Sequence, residues 1–337
     1  MDVILRPLMQ GVDRLKILAN SKKPTVLHAP YTEDMAHIMS PEFLADPERF
    51  YFRPPPASEV RVLRERKLRG RRLTEIAFPS PIRTRWPENN TCYAYHLRLG
   101  DGRPHPAFLI LHGWGRRSLS IELWRIGLRL ARHGIESLFL VMPFHLRRAP
   151  PGSWSGEYMI SGDVVRTAEC FQQTVAEVRA ILPWLRELSP AVGLLGYSLG
   201  GIISHLVMTV EAFPAGVTFL ASGNSAGVTW EGRMTRHVKA DIERAGIDRA
   251  RLEQIWAITN PTLLARHNKT RNLLMMAGKY DEIVPPKFTL ELWEALGRPP
   301  LCWFPCAHYS SFFFLPAIVD KAARFFRMHL GPGGGLG

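Results

Sequence analysis

Short apolar segments alternate with amphipathic ones from about residue 73 to residue 330, and this alternation limits the folds that the chain can adopt. Segments such as 107–111 (AFLIL) and 137–142 (SLFLVM) are almost uniformly apolar, which is typical of strands buried on both faces. Segment 163–188 has its apolar residues at helical spacing. Strands that alternate with helices predict an α/β fold, with a mostly parallel, twisted sheet covered by helices on both faces.

The predicted elements divide the chain into three parts. Residues 1–72 form an N-terminal helical arm and a basic segment, residues 73–330 form the α/β domain, and residues 331–337 form a flexible, glycine-rich tail. Residues 224–270 are polar and helix-prone, so we interpret them as an inserted cap. The predicted strands are 73–78 and 91–99, which pair antiparallel, then 107–111, 137–142, 192–197, 217–221, 273–277 and 301–304. The predicted helices of the domain are 121–132, 163–188, 199–210, 286–296 and 317–329.

The arm begins with a predicted helix, because apolar residues recur at helical spacing in residues 1–20. Its apolar stripe consists of Ile4, Leu8, Val12, Leu15 and Leu18. We expect this stripe to pack on the main domain, as the apolar face of a surface helix usually does. The alternative is a basic amphipathic helix that contacts a membrane or a partner, since Arg6, Arg14 and Lys16 accompany the stripe. Residues 61–72 are strongly basic, which we interpret as a solvated face rather than an anion-binding strip.

The composition excludes several classes of protein. Hydrophobic residues make up 46% and charged residues 22% of the chain, which excludes a disordered or fibrous protein. Four cysteines are too few for a disulfide scaffold. The sequence has no apolar run of the roughly 20 residues that a membrane-spanning helix needs. Its first residues lack a secretory cleavage site, so we expect a cytoplasmic protein.

The chain is basic, with 43 Lys and Arg residues against 30 Asp and Glu residues, a net charge of +13. A basic surface attracts anionic lipid, nucleic acid and acidic substrates. Because no helix-turn-helix, zinc-finger or ribonucleoprotein pattern accompanies the charge, we expect no specific nucleic-acid partner. Peripheral contact with an anionic membrane stays an open alternative to a surface charge that serves only solubility and steering.

The strongest motif is Gly196-Tyr197-Ser198-Leu199-Gly200. Chance alone would produce a Gly-x-Ser-x-Gly pattern roughly 0.1 times in a chain of this composition, so its context decides. Here an apolar strand ends at the motif and a helix begins after it. Such a turn exposes the serine hydroxyl above the sheet, and it needs glycine on either side because a Cβ there would collide with the backbone. The motif therefore predicts that Ser198 is a nucleophile.

A serine hydroxyl is a weak nucleophile, and it needs a base that is itself oriented by an acid. Asp281 and His308 follow the last two predicted strands. The carboxyl ends of parallel strands meet at one edge of a sheet, so we expect both side chains to lie near Ser198. Glu282, which is adjacent to Asp281, is the alternative acid.

A fourth segment, His112-Gly113-Trp114-Gly115, follows the predicted strand 107–111. A turn there can supply the backbone N–H of Trp114 to an oxyanion, while Leu199 supplies another after the serine. We interpret His112 as a hydrogen-bonding residue of this turn rather than as a base. The weaker candidates for contact with the substrate are His112, Gly113, Tyr197 and Phe144.

Other candidate sites are weaker. Arg147 and Arg148 lie near the expected rim of the cleft and are candidates to attract an acidic substrate, although we expect them to be solvated. Cys302 and Cys306 have the spacing of a metal or redox pair, but no second cluster accompanies them, so we expect buried thiols. No metal-binding, Walker or dinucleotide-binding motif stands in its required context, and we expect neither a metal nor an organic cofactor.

Four motifs make residues 73–330 resemble the α/β-hydrolase superfamily. They are HGWG at 112–115, GYSLGG at 196–201, GKYDEIVP at 278–285 and CAHYS at 306–310. The resemblance implies Ser198 as nucleophile, His308 as general base and acid, and Asp281 as its orienter. It also implies that the amides of Leu199 and Trp114 form the oxyanion hole. A serine nucleophile argues against the dehalogenase, epoxide-hydrolase and dienelactone-hydrolase branches, and the long arm departs from the minimal pattern.

We therefore expect a serine hydrolase that cleaves a carboxylic ester or related acyl bond of a small molecule through an acyl-enzyme intermediate. A peptidase or a thioesterase stays open, because the walls of the pocket decide the substrate. The alternative from another class is a catalytically idle protein of the same fold that binds anionic membrane or nucleic acid through its basic N-terminal region.

Overall fold

The computed structural model describes residues 2–21, 35–68 and 70–330. Nine strands in these ranges form one sheet. The strands are β1 (Arg61–Leu68), β2 (Arg71–Pro79), β3 (Thr91–Leu99), β4 (Ala107–Leu111), β5 (Glu136–Leu140), β6 (Val192–Tyr197), β7 (Gly216–Phe219), β8 (Leu273–Gly278) and β9 (Leu301–Phe304). Their order is β1-β2-β3-β5-β4-β6-β7-β8-β9. The strands from β5 to the β9 edge are parallel and the others antiparallel, which confirms the predicted sheet.

Twelve α-helices lie in the described residues. They are α1 (Asp2–Ser21), α2 (Ala36–Met39), α3 (Pro41–Ala45), α4 (Leu128–Arg132), α5 (Val164–Leu188), α6 (Leu199–Val210), α7 (Ser225–Glu231), α8 (Arg236–Arg244), α9 (Arg249–Ile255), α10 (Pro261–Leu264), α11 (Pro286–Ala295) and α12 (Leu315–Met328). The chain enters α4 through a π-helix at Glu122–Gly127, so the predicted helix 121–132 is only partly α-helical. Helices α7 to α10 connect β7 to β8. None of the helices described combines the length and the apolar character that crossing a bilayer requires.

The core lies in two layers, one on each face of the sheet. Along β4, Leu109 and Leu111 belong to the layer that contains α5 and α6, whereas Phe108 and Ile110 belong to the layer that contains α12. Every residue of β4 is buried, which explains its uniformly apolar sequence, since a central parallel strand has no solvated face. Burying each of these side chains contributes about 1.5–3 kcal/mol to folding.

The sheet begins earlier in the chain than predicted, because β1 lies inside the segment that we assigned to the arm. Its side chains are largely exposed along one edge of the sheet, as expected of a solvated basic face. Charged side chains on an edge strand oppose pairing with other chains, which explains why a strand here is so basic. The predicted tail, residues 331–337, lies outside the described residues.

Helix α1 confirms the helix predicted at the start of the chain, but three leucines of its apolar stripe are largely exposed. Leu8, Leu15 and Leu18 are 61%, 70% and 64% exposed. Asp13 is fully buried instead. With about 100° of rotation per residue, Asp13 lies about 140–160° around the helix from these leucines. Helix α1 therefore covers the domain as predicted, but Leu8, Leu15 and Leu18 do not form its contact face. Gln10 and Asp13 contact the domain instead, and Val12 lies on a cavity wall.

Candidate active site

The parallel strands β4, β6, β8 and β9 end at the same edge of the sheet. The turn at 112–115, Ser198, Asp281 and His308 each follow one of these strands within four residues. Side chains that are far apart in the sequence therefore meet above the carboxyl ends of the strands, where open α/β sheets bind their ligands.

Ser198 joins β6 to α6 in a strained turn. Its φ is 54° and its ψ is −126°, a backbone region that residues other than glycine rarely occupy. A Cβ on Gly196 would collide with the backbone of Gly200, and a Cβ on Gly200 would collide with the carbonyl group of Leu111. The two glycines therefore let the backbone turn sharply enough to present the serine hydroxyl.

Three side chains form one hydrogen-bonded line. Oγ of Ser198 lies 2.9 Å from Nε2 of His308, and Nδ1 of His308 lies 2.8 Å from Oδ2 of Asp281. Oδ1 of Asp281 accepts hydrogen bonds from the amides of Ile283 and Val284 at 2.8 and 2.9 Å. The carboxylate favours the tautomer with its proton on Nδ1, which leaves Nε2 to accept the proton of the serine.

Glu282, the alternative acid, points away from the imidazole. Its carboxylate pairs with Arg14 at 3.1 Å and with Arg233 at 3.5 Å. The side chain of Glu282 is 21% exposed, whereas that of Asp281 is 2% exposed. The structure thus places Asp281, and not Glu282, against His308.

The charges around His308 set its affinity for a proton. Burial opposes the protonation of His308, but the carboxylates of Asp281 and Asp13 outweigh burial and raise its pKa above 6.5. The guanidinium of Arg116 works against this rise. Because only the neutral imidazole can accept the proton of Ser198, activity requires a pH above the raised pKa.

The amides of Leu199 and Trp114 belong to residues on the wall of a cavity beside Ser198. Leu199 is the first residue of α6, and the opening N–H groups of a helix have no partner within it. Neither amide has an acceptor among the residues that the structure describes. The indole of Trp114 donates to the carbonyl group of Gly156 at 2.7 Å, which holds the turn in place. Two free donors beside the nucleophile are what a tetrahedral oxyanion needs.

The cavity has a volume of about 900 Å³, enough for a drug-sized ligand. Its wall is largely apolar. The apolar residues of the wall include Phe171, Ile202, Phe219, Val228, Trp256 and Ile318. Some of them come from the helices between β7 and β8, so the segment predicted to be a cap contributes to the wall.

Cations also lie on the cavity wall, which the sequence motifs did not predict. Arg116 pairs with Glu122 at 2.5 Å, and Glu122 accepts a hydrogen bond from the hydroxyl of Tyr197. Arg117 and Lys16 line the wall as well. The two arginines directly follow the turn at 112–115, and this position was the signal in the sequence that could have identified them.

Two of the weaker candidates for substrate contact lie away from the cavity wall. His112 is fully buried, with Nδ1 2.8 Å from the carbonyl oxygen of Gly113 and Nε2 3.1 Å from the amide of Met142. Phe144 is 1% exposed and packs edge-on against the ring of Trp86. The predicted contacts of His112 and Phe144 with substrate are therefore wrong. Gly113 and Tyr197, the other two candidates, do line the cavity.

Arg147 and Arg148 also lie away from the cavity wall. Arg148 is fully buried and donates two hydrogen bonds to the carboxylate of Glu177, at 2.6 and 2.7 Å. Arg147 pairs with Glu75 at 2.9 Å. The prediction that Arg148 is solvated is wrong, because α5 supplies a buried partner for its charge.

The two cysteines of the predicted pair differ in burial. Cys306 is buried, and burial raises the pKa of its thiol to about 12. Cys302 is half-buried. A thiol with so high a pKa stays protonated at neutral pH, as expected for a structural residue.

Comparison with known proteins identifies a family to which the chain is similar. The family model alpha/beta hydrolase domain containing 18 matches residues 50–286 of the chain. An uncharacterised protein of Mycobacterium tuberculosis is 30% identical over 286 residues, which cover 80% of this chain and 68% of that protein. The uncharacterised protein YdjC of Bacillus subtilis is 26% identical over 102 residues, which cover 30% of this chain and 87% of that protein.

Solved structures show the same fold at low sequence identity. An acetyl xylan esterase from Paenibacillus sp. R4 has a TM-score of 0.64 and 17% identity, and the match covers 92% of this chain and 98% of that one. An S-formylglutathione hydrolase from Agrobacterium tumefaciens has a TM-score of 0.55 and 14% identity, with 80% and 99% covered. The chain thus has the fold of these esterases across nearly their whole length.

Proposed function

Because the chain belongs to the alpha/beta hydrolase domain containing 18 family, we propose that it is a serine hydrolase that cleaves a carboxylic ester or related acyl bond. The observation that supports this most directly is the unbroken line of hydrogen bonds from Asp281 through His308 to Ser198, at 2.8 and 2.9 Å. Such a line gives a serine the base it needs and gives the base its orienting acid.

The reaction begins when Oγ of Ser198 attacks the carbonyl carbon of the substrate and Nε2 of His308 takes the hydroxyl proton. The amides of Leu199 and Trp114 stabilise the oxyanion that forms. His308 then donates its proton to the leaving group, and the acyl group stays on Ser198. A water molecule that loses its proton to His308 releases the acid by the same steps in reverse.

The cavity indicates the kind of substrate. A largely apolar wall favours a medium-sized or lipid-like acyl group, since burying apolar atoms contributes about 25 cal/mol per Å². Thioesters and peptides offer the same carbonyl chemistry, so a panel of esters, thioesters and peptides with matched acyl groups separates these activities.

A fluorophosphonate probe tests the proposed function. We expect the wild-type protein to be labelled on Ser198, and we expect Ser198→Ala to lose both the label and ester hydrolysis. Ser118→Ala is the matched control, because Ser118 also lines the cavity and, within the part of the chain that the structure describes, its hydroxyl hydrogen-bonds to Ser120. Labelling that survives in Ser198→Ala, or folded wild-type protein that is neither labelled nor hydrolytic, would show that the proposal is wrong.

A further inference from the structure

Helix α1 lies outside the residues that match the family model, yet Val12 and Lys16 of this helix line the cavity. Between these two residues, Asp13 is fully buried. A buried carboxylate needs strong hydrogen-bond donors, because moving its charge out of water is costly. The groups that donate hydrogen bonds to Asp13 therefore identify the part of the domain that this face of α1 contacts.

The donors to Asp13 are two backbone amides of the loop that carries His308. Oδ2 of Asp13 accepts from the amide of His308 at 2.9 Å, and Oδ1 accepts from the amide of Tyr309 at 2.7 Å. Within the described residues, no cationic side chain forms an ion pair with Asp13. Both oxygens are thus used to fix the backbone from which the imidazole of His308 projects.

The neighbours of Asp13 on α1 hold the loop of the acid. Nε2 of Gln10 donates to the carbonyl oxygen of Tyr280 at 3.4 Å, and Arg14 pairs with Glu282 at 3.1 Å. Tyr280 and Glu282 are the residues on either side of Asp281 in the chain. Positions 10, 13 and 14 share one face of a helix, so α1 connects the loop of the acid to the loop of the histidine.

Charged groups from three elements surround His308. Asp281 contacts its Nδ1, Asp13 contacts its backbone amide, and Arg116 comes from the turn after β4. The ring of Tyr309 lies 5.8 Å from the imidazole. The two carboxylates favour the imidazolium and Arg116 disfavours it. Burial raises the pKa of Asp13 itself, against the effects of His308 and the two amides.

We infer that Asp13 is a positioning residue of the active site, whose carboxylate holds the loop of His308 so that Nε2 reaches Ser198. The inference rests on the proposed function. The competing explanation is that Asp13 only fastens α1 to the domain. A fastening contact changes stability alone, whereas a positioning residue also changes kcat and the proton affinity of His308.

Two substitutions separate these explanations. Asp13→Asn preserves volume but offers one acceptor oxygen and one NH₂ group, so one of the two backbone amides loses its acceptor. Asp13→Ala removes both acceptors. We expect kcat for a short ester to fall about 10- to 100-fold. The buried amides of His308 and Tyr309 that lose an acceptor must find another one, and this moves the loop of the histidine. KM should change less than about twofold, since Asp13 is not part of the cavity wall.

Leu15→Ala is the matched control. Leu15 lies on the same helix and is 70% exposed, so its truncation should leave kcat and the melting temperature unchanged. If Asp13→Ala does not fold, Asp13→Asn decides the question alone. Asp13→Asn protein that melts earlier but has the wild-type kcat and pH profile would overturn the inference.

The pH profile reports whether the charge of Asp13 acts on the imidazole, which a loss of stability alone does not change. Removing the negative charge of Asp13 lowers the pKa of His308, so the acid limb of kcat/KM should move to lower pH. Histidine-selective NMR titration measures that pKa directly, with the signal of His308 assigned from its loss in His308→Gln. An inactive wild-type protein would refute the proposed function, whereas an active Asp13→Asn protein with the wild-type kcat and the wild-type His308 pKa would refute the role of Asp13 alone.

Discussion

The hydrogen bonds of Asp281 predict what Asp281→Asn does to the reaction. Oδ1 of Asp281 accepts hydrogen bonds from the amides of Ile283 and Val284. The oxygen of an asparagine can keep both bonds only if the side-chain NH₂ group takes the place of Oδ2 beside His308. The imidazole must then accept at Nδ1, so its proton moves to Nε2. In that tautomer Nε2 cannot take the proton of Ser198.

We expect this change of tautomer to lower kcat/KM about 10⁴-fold, which corresponds to about 5.4 kcal/mol of transition-state stabilisation. Release of p-nitrophenol from a short ester measures rates over that range, and thermal melting shows whether the variant is folded. Glu282→Gln is the control, because an amide oxygen still accepts from Arg14 and the lost charge is partly exposed. We expect it to retain activity within about threefold. Folded Asp281→Asn with a tenth of wild-type activity, or an equal loss in Glu282→Gln, would refute the assignment of the acid.

Three further predictions concern stability, pH and substrate. Arg148→Met leaves the carboxylate of Glu177 buried without its cation. Urea denaturation should therefore show a loss of about 3–5 kcal/mol in the free energy of unfolding, and an unchanged midpoint would contradict this. The acid limb of wild-type kcat/KM should lie above pH 6.5, because the pKa of His308 is raised, and a limb near pH 5 would contradict it. Val228→Phe narrows the cavity and should slow the hydrolysis of long-chain esters about tenfold relative to the acetyl ester. An equal loss of rate for every ester would show that this wall does not bind the acyl chain.

The hydrogen-bonded line at the sheet edge could be predicted from the sequence because local rules fix each of its parts. A strand, a tight glycine-flanked turn and a helix determine where the hydroxyl of Ser198 lies. Parallel strands then bring Asp281 and His308 to the same edge, whatever the length of chain between them. Only the choice between Asp281 and Glu282 needed the structure, because adjacent residues of a turn point in different directions.

The buried face of α1 could not be predicted. Apolar residues usually mark the buried face of a helix, since burying a leucine contributes about 1.5–3 kcal/mol. In α1 the bonds of Gln10 and Asp13 determine the orientation instead, and their partners lie 270 and 295 residues away in the chain. No motif in α1 marks Gln10 or Asp13 as the residues that make these contacts.

The residues after β5 show a second limit. Phe144 and Arg148 follow a strand closely, and this position predicts that they lie near the cleft. Phe144 has a φ of 58° and Leu146 a φ of 53°, so the backbone reverses and Arg148 reaches Glu177 inside the core. Left-handed backbone at residues other than glycine has no reliable signature in a sequence.

The charges around His308 connect α1 to the chemistry of the site. An imidazole with a higher pKa is a stronger base, but a larger fraction of it is protonated and inactive at neutral pH. Asp281 and Asp13 shift this balance towards protonation, and Arg116, itself paired with Glu122, opposes them. Since Asp13 also fixes the backbone of the histidine loop, displacing α1 would both loosen the geometry of proton transfer and lower the pH at which the base becomes neutral. By this inference, helix α1, which lies outside the sheet, acts on the same proton as the residues at the strand ends.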